Sequence, residues 1–203
     1  MAIRVILASG SQNRRDILRS LGVRFEVVPS NVDERIVRNP DPVEKAKRIA
    51  QLKARTVASK HRGIVVAADT FGMLGKVELQ KPKDLDDARR MLKKESGKRI
   101  KIITGMCIIN TRSRKETTAS RTAFVRCKRL TTSEIEHYIK TRPVTEWAGA
   151  YNPQDKVSST LFMPASKYAY GMERFSLPID ILARVLASAG IKISVSKLDA
   201  LPA

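Results

Sequence analysis

The sequence predicts an α/β fold built on a mixed sheet. Apolar runs of strand length alternate with amphipathic runs of helix length along most of the chain. Two long strand-like runs, "RIKIITGMCIIN" and "TTASRTAFVRCKRL", are joined only by the polar turn "TRSRKE". Strands joined so tightly pair antiparallel, so the sheet is not a purely doubly wound parallel one. The length, 203 residues with 42% apolar content, is ample for a buried core.

Taken in order, "IRVILA" reads as a buried first strand. A helix is expected from about Gln12 to Leu21, with Ser11 as N-cap and Gly22 as its stop. "VRFEVVPS" alternates like a second strand. In "NPDPVEKAKRIAQLKARTVASKHRG", Asp41 can cap a helix, Pro42 suits its first position, and Gly63 lies past its end. "IVVAA" predicts a short buried strand running into Asp69 and Thr70. "DLDDARRMLKKESG" carries an Asp84 cap, acids in the first turn, lysines in the last and Gly97 as a stop. After the central hairpin, "TTSEIEHYIKTR" is a capped helix ended by Pro143. Residues 144–176 read as irregular or strand-like. "SLPIDILARVLASAG" is a last helix, and "IKISV" is expected as a closing strand.

The charge balance is extreme, with a formal net charge of +19. Such a field draws in polyanions, either nucleic acid or a nucleoside triphosphate. Aromatic residues make up only 5%, too few for a single-strand stacking surface. No apolar run reaches the roughly 18 residues of a membrane span. The first residues turn polar too soon for an export signal, so a cytoplasmic location is expected. Cys107 and Cys127 form neither a disulfide framework nor a metal site and are read as free buried thiols. His61 and His137 have no Ser or Cys partner of triad character.

Several places could carry chemistry. At "ASGSQNRR" a strand enters a helix through Ser9, Gly10 and Ser11. Backbone N–H groups at a helix start favour an anion, hydroxyls add donors, and Arg14 and Arg15 can grip phosphate. The alternative is a plain Ser cap with a solvated first turn. Asp69 follows an apolar strand, where a carboxylate can orient water or meet a divalent cation; it could equally be a turn-former. Glu34 in "NVDE" is a second candidate carboxylate. Lys53 and Lys81 are cations that are either ligands or solvated charges. In "AGAYNPQDK", Gln154 offers the paired donor and acceptor that suit a base edge.

Singly these signals are weak, but their order is specific. "LASGSQNRRDIL", "VDE", "A-x-x-K-A", "ADT", "KP-x-D-x-x-x-A-x-x-M-L", "SGK", "TG" and "AGAY-x-x-Q" run in series. Over about residues 3–190 the chain resembles the Maf (septum formation inhibitor-like) family of nucleotide pyrophosphatases. The resemblance implies one domain, residues 1–203, of elongated α/β form. It also implies two lobes, a cleft, and kinship with inosine triphosphate pyrophosphatases. It implies hydrolysis of nucleoside triphosphates to the monophosphate and pyrophosphate with Mg²⁺ or Mn²⁺, and a homodimer.

The resemblance also assigns residues. Asp69 matches the general base and, with Glu34, would face the metal. Ser9, Ser11 and Arg14 fall on the phosphate-binding segment, and Lys53 and Lys81 on polar substrate-binding positions. Substrate choice is implied at Asn13, Thr70 and Gln154. The dTTP/UTP subgroup typically has Arg, Thr and Gln there, so this chain departs at Asn13. It departs again at "GMERFSLP", where Ser176 replaces an expected Gly. A basic nucleic-acid-binding or cell-division regulatory protein, using the same fold with weak or lost catalysis, is the alternative.

Overall fold

The computed structural model describes residues 3–152, 155–165 and 176–194. Among the described residues seven strands form one sheet in the order β2-β1-β3-β5-β6-β7, with β4 paired to β3. They are β1 (Val5–Leu7), β2 (Glu26–Val27), β3 (Ile64–Leu74), β4 (Val77–Leu79), β5 (Arg99–Asn110), β6 (Lys115–Cys127) and β7 (Phe162–Pro164). β1 runs parallel to β2 and β3, whereas β4 and β7 pair antiparallel to β3 and β6. The helices are α1 (Gln12–Ser20), α2 (Pro42–Ala58), α3 (Leu85–Glu95), α4 (Thr132–Thr141), α5 (Lys156–Leu161) and α6 (Ile179–Ser188). The mixed α/β expectation holds. Among the described residues no helix is long and apolar enough to cross a membrane.

The chain divides into two compact units. The first comprises Met1–Thr70, Ile103–Arg121 and Arg174–Ala203; the second comprises Phe71–Ile102 and Thr122–Glu173. β3, β5 and β6 are long enough to contribute residues to both.

In the first unit the pleat sorts the core into two faces. Val5, Leu7, Ile64, Val66, Ala68, Met106 and Ile108 pack with Ile17, Leu18 and Leu21 and with Leu182 and Leu186 of α6. The alternate residues Ile6, Ala8, Val65, Ala67 and Cys107 pack with Ala50, Ala54 and Val57 of α2. α2 can lie this close because β5 offers Gly105: a Cβ there would sit 2.3 Å from the Ala46 carbonyl carbon. Asp41 caps α2, accepting from the Val43 and Glu44 N–H groups, and Pro42 stands in its first turn.

In the second unit α3 packs against α4. Asp84 caps α3 through the Asp87 N–H, and Thr131 with Glu134 forms a reciprocal capping box on α4. The Tyr138 hydroxyl donates to the Ala150 carbonyl at 2.9 Å and meets Ser158 Oγ. Tyr151 packs on Phe162 with ring centroids 4.4 Å apart.

Four expectations need correction. β2 is only Glu26–Val27, both exposed, so its alternation reflects no buried face. β3 does not stop at Ala68 but continues to Leu74, because β4 pairs with its far end. The 144–176 region holds a helix, α5, started by an Asp155 side chain that accepts from Ser158 N–H. Residues 191–194 are not strand. Cys107 and Cys127 are free and buried, as expected.

Candidate active site

Strand alternation decides which residues meet. Asp69 continues the face of Val65 and Ala67, which looks at α2. Thr70 continues the face of Val66 and Ala68, which looks at α1. Asp69 is therefore a mid-strand residue, neither a strand-end carboxylate nor a turn-former.

On the α2 side, Lys53 lies in the buried stripe of Ala46, Ile49, Ala50, Ala54 and Val57. Its ammonium donates to Asp69 Oδ1 at 2.9 Å and pairs with Glu34 Oε1 at 2.7 Å. Glu34 opens a 3₁₀ turn, Glu34–Ile36, capped by Asp33, and its side chain remains about half exposed. Lys53 and Asp69 are each only 8% exposed.

On the α1 side, Arg14 is buried one turn before Ile17 and Leu18. Its guanidinium donates three ways: Nη1 to Ser9 Oγ at 2.8 Å, Nη2 to Thr70 Oγ1 at 3.2 Å, and Nε to the Ser176 carbonyl at 3.2 Å. Thr70 shares a further hydrogen bond with Thr104 at 2.9 Å. All three Arg14 acceptors are neutral oxygens. Burial lowers the Arg14 pKa from its ordinary value, while the charges of Asp69 and then Glu34 raise it. An arginine remains charged under such conditions, so the first unit carries a buried cation whose hydrogen-bond partners among the described residues are all neutral.

The start of α1 is prepared for an anion. Ser11 holds the N-cap position, but its side chain makes no capping bond and no acid occupies the first turn. Ser9 Oγ instead accepts twice, from the Ser11 N–H at 3.2 Å and from Arg14. With both lone pairs engaged, the Ser9 proton is left to donate outward. A Cβ at Gly10 would meet no protein atom within 4 Å, so the backbone is open to close approach there. Arg15 turns back to the Gly10 carbonyl at 2.6 Å.

Ser9, Arg14, Glu34, Lys53, Asp69 and Thr70 thus converge in the first unit. Ser11 and Asn13 stand in the same strand-to-helix segment, and Asn13 Oδ1 is buried without a hydrogen-bond partner among the described residues. Lys81 is exposed, between β4 and α3 in the second unit. Gln154 lies outside the described residues. Thr104 and the Ser176 carbonyl are site members that residue-by-residue reading missed. The "TG" at 104–105 was visible as part of the series, but a backbone acceptor leaves no mark in sequence.

Residues 4–170 match the model of the Maf-like protein family. A dTTP/UTP pyrophosphatase of Ruminiclostridium cellulolyticum is 35% identical over 191 residues, covering 93% of this chain and 97% of the relative. One of Alkaliphilus oremlandii is 42% identical over 156 residues, covering 76% and 81%. Among solved structures, a nucleoside-triphosphatase (dITP/XTP pyrophosphatase) of Mycobacterium abscessus aligns over 92% of this chain and 94% of its own, at 14% identity and TM-score 0.45.

Proposed function

The chain belongs to the Maf-like family, and on that premise we propose that it is a nucleoside triphosphate pyrophosphatase. It cleaves dTTP, UTP or modified nucleoside triphosphates to the monophosphate and pyrophosphate. The relatives' activity supports this reading, as do Thr70 and Gln154, which match the pyrimidine pattern. The observation that carries it is the pairing of a buried carboxylate, Asp69, with an anion-ready helix start and buried cations in one unit.

The chemistry follows from the geometry. Lys53 occupies Asp69 Oδ1, which leaves Oδ2 to accept a proton from a water. That water's oxygen forms a bond to the α-phosphorus, the bridging bond from Pα to the β-phosphate oxygen breaks, and pyrophosphate leaves. Ser9, the Ser11 N–H side of α1, and Arg14 hold the phosphate charge. Positioning and charge neutralisation dominate in phosphoryl chemistry, so fixed donors of this kind lower the barrier.

A divalent ion fits the donor set. Glu34 and Asp69 lie close enough to share one cation, Lys53 Nζ, at 2.7 and 2.9 Å, and each carboxylate keeps a second oxygen that could meet a metal. No cluster of three His, Cys, Asp or Glu occurs among the described residues. Mg²⁺ commonly binds through one or two carboxylates, with water and substrate phosphates completing its shell. Glu34 and Asp69 would hold Mg²⁺ or Mn²⁺ in that way, and the ion would offset charge developing on the phosphates. The roles implied for Lys81 and Gln154 as substrate contacts belong to the same proposal, as do a homodimer and a cytoplasmic location.

The test is pyrophosphate release from a panel of canonical and modified triphosphates, with and without Mg²⁺. Asp69→Asn, shown by circular dichroism to be folded at the assay temperature, should lower kcat by about 10²–10⁴, the range typical of a lost general base. Full turnover in the folded variant would end the base assignment.

A further inference from the structure

The sheet face that looks at α1 changes character along its length. Val66, Ala68, Met106 and Ile108 belong to its apolar core. Next in the same alternation come Thr70 on β3 and Thr104 on β5. A buried hydroxyl costs free energy unless it is hydrogen-bonded, so two of them at the end of an apolar face point to a use. Thr104 is 1% exposed, which keeps it from meeting a ligand itself. Its Oγ1 lies 2.9 Å from Thr70 Oγ1, and Thr70, which is partly exposed, accepts from Arg14 Nη2 at 3.2 Å. A chain of hydrogen bonds therefore runs from Thr104 through Thr70 and Arg14 to Ser9, all within the first unit.

A proton count decides what Thr70 can offer. A hydroxyl has one proton and two acceptor pairs. Arg14 takes one pair of Thr70. If Thr70 donates to Thr104, only an acceptor pair is left, which repels an anion. If Thr104 donates instead, both pairs are filled and the Thr70 proton is released to donate outward. Ser9, bonded to the other terminal nitrogen of Arg14, is already in that second condition, since it accepts from Arg14 and from the Ser11 N–H.

We propose that Thr104 is a positioning residue for triphosphate binding. It donates to Thr70 and so turns the Thr70 proton toward the phosphate that Arg14 holds. Arg14 is then flanked by two hydroxyl donors, Ser9 and Thr70, each with its acceptor pairs filled. The proposal rests on the reading of the first unit as the phosphate-holding site. Thr104 touches neither substrate nor reacting atoms and acts only through Thr70.

The probe is α,β-imido-dUTP, in which nitrogen replaces the bridging oxygen of the bond that the reaction breaks. It is titrated calorimetrically into the full chain with Mg²⁺. Thr104→Val, checked for folding by circular dichroism, should weaken binding about five- to tenfold. The KM for dTTP should rise by the same factor with kcat held within about twofold. Thr104→Ser, which keeps the hydroxyl, should stay within about twofold of wild type. In a Thr70→Val background, Thr104→Val should add less than about twofold, because its route to the ligand is gone. Undiminished affinity in the folded Thr104→Val chain, a Thr104→Ser chain as weak as Thr104→Val, or a full loss that persists without the Thr70 hydroxyl would each overturn the proposal. So would a wild-type chain that does not saturate with the probe up to about 10 mM. If Thr104→Val does not fold, Thr104→Ala compared with Thr104→Ser isolates the same hydroxyl. A wild-type chain that binds the probe but releases no pyrophosphate from dTTP ends the pyrophosphatase reading alone, and the dissociation constants still decide the role of Thr104.

Discussion

The two units bury charge in opposite ways. In the first, every buried charge has partners: Lys53 reaches two carboxylates and Arg14 three oxygens. In the second, Glu95 is equally buried and reaches none among the described residues. The first arrangement is laid down by period-two alternation, which turns Asp69 to Lys53 and Thr70 to Arg14 on opposite faces of one strand. No such device serves Glu95, at the end of a helix against an aliphatic wall. A paired charge can remain a charge when buried. An unpaired one is tolerated chiefly by taking up a proton.

The largest consequence is a pH dependence owed to Glu95. Its folded pKa, about 8, lies above the ordinary carboxylate value of 4.5. The folded state therefore holds a proton that the unfolded state has released. Its contribution to stability is full below about pH 4.5 and is lost as pH rises through about 8. The loss across that window should be on the order of 5 kcal/mol from this group alone. Denaturant unfolding between pH 5 and 8.5 measures it, and Glu95→Gln should flatten the profile. A wild-type profile as flat as the variant's would mean that Glu95 is solvated, and the contrast between units would disappear.

A smaller effect of opposite sense is expected from Lys53→Met. Removing the ammonium leaves Asp69 buried beside an apolar side chain, whereas half-exposed Glu34 can turn to water. Breaking a buried pair on one side costs about 3–5 kcal/mol, and the lower end applies where one partner is hydrated. Stability near pH 8 should fall by about 3 kcal/mol in Lys53→Met and rise in Glu95→Gln. Changes of the same sign in both would show that partnering does not distinguish the two sites.

Much of this was legible in the sequence, for identifiable reasons. The caps at Asp41 and Asp84 and the capped start of α4 use local chemistry and formed, whereas Ser11 holds its N-cap position without a side-chain capping bond. Glu34, Lys53 and Asp69 were each nameable as charged residues beside structured runs, and the Maf-like series put them in one site. Their contact depends on β3 extending past Ala68, which rests on its place beside β5 and, at its far end, on pairing with β4, and has no local signal. The same limit hid α5, a short helix that depends on its Asp155 cap, and the Ser176 carbonyl. Glu95 was invisible for a different reason: in "MLKKESG" it reads as one more charge in a basic last turn. Only the packing of Leu79 and Gly149 makes it exceptional.

The smallest expected effect tests whether the first unit can accept another cation. Asn13 stands one residue before Arg14, where the family resemblance implies arginine for the dTTP/UTP subgroup, and its Oδ1 is buried without a partner among the described residues. Arg15 does not stand in for it, because its guanidinium is turned to the Gly10 carbonyl. In Asn13→Arg the new guanidinium would lie near Arg14, whose own partners are all neutral. Without nucleotide, like-charge repulsion should lower stability slightly, by less than about 1 kcal/mol. With dTTP, a bidentate contact to phosphate should lower KM about tenfold while kcat changes little, as expected for binding shared by ground and transition states. An unchanged KM would mean that position 13 does not meet the triphosphate. The orphaned Asn13 oxygen would then have no role in binding, and only the paired charges Lys53, Asp69 and Arg14 would distinguish the first unit from Glu95 in the second.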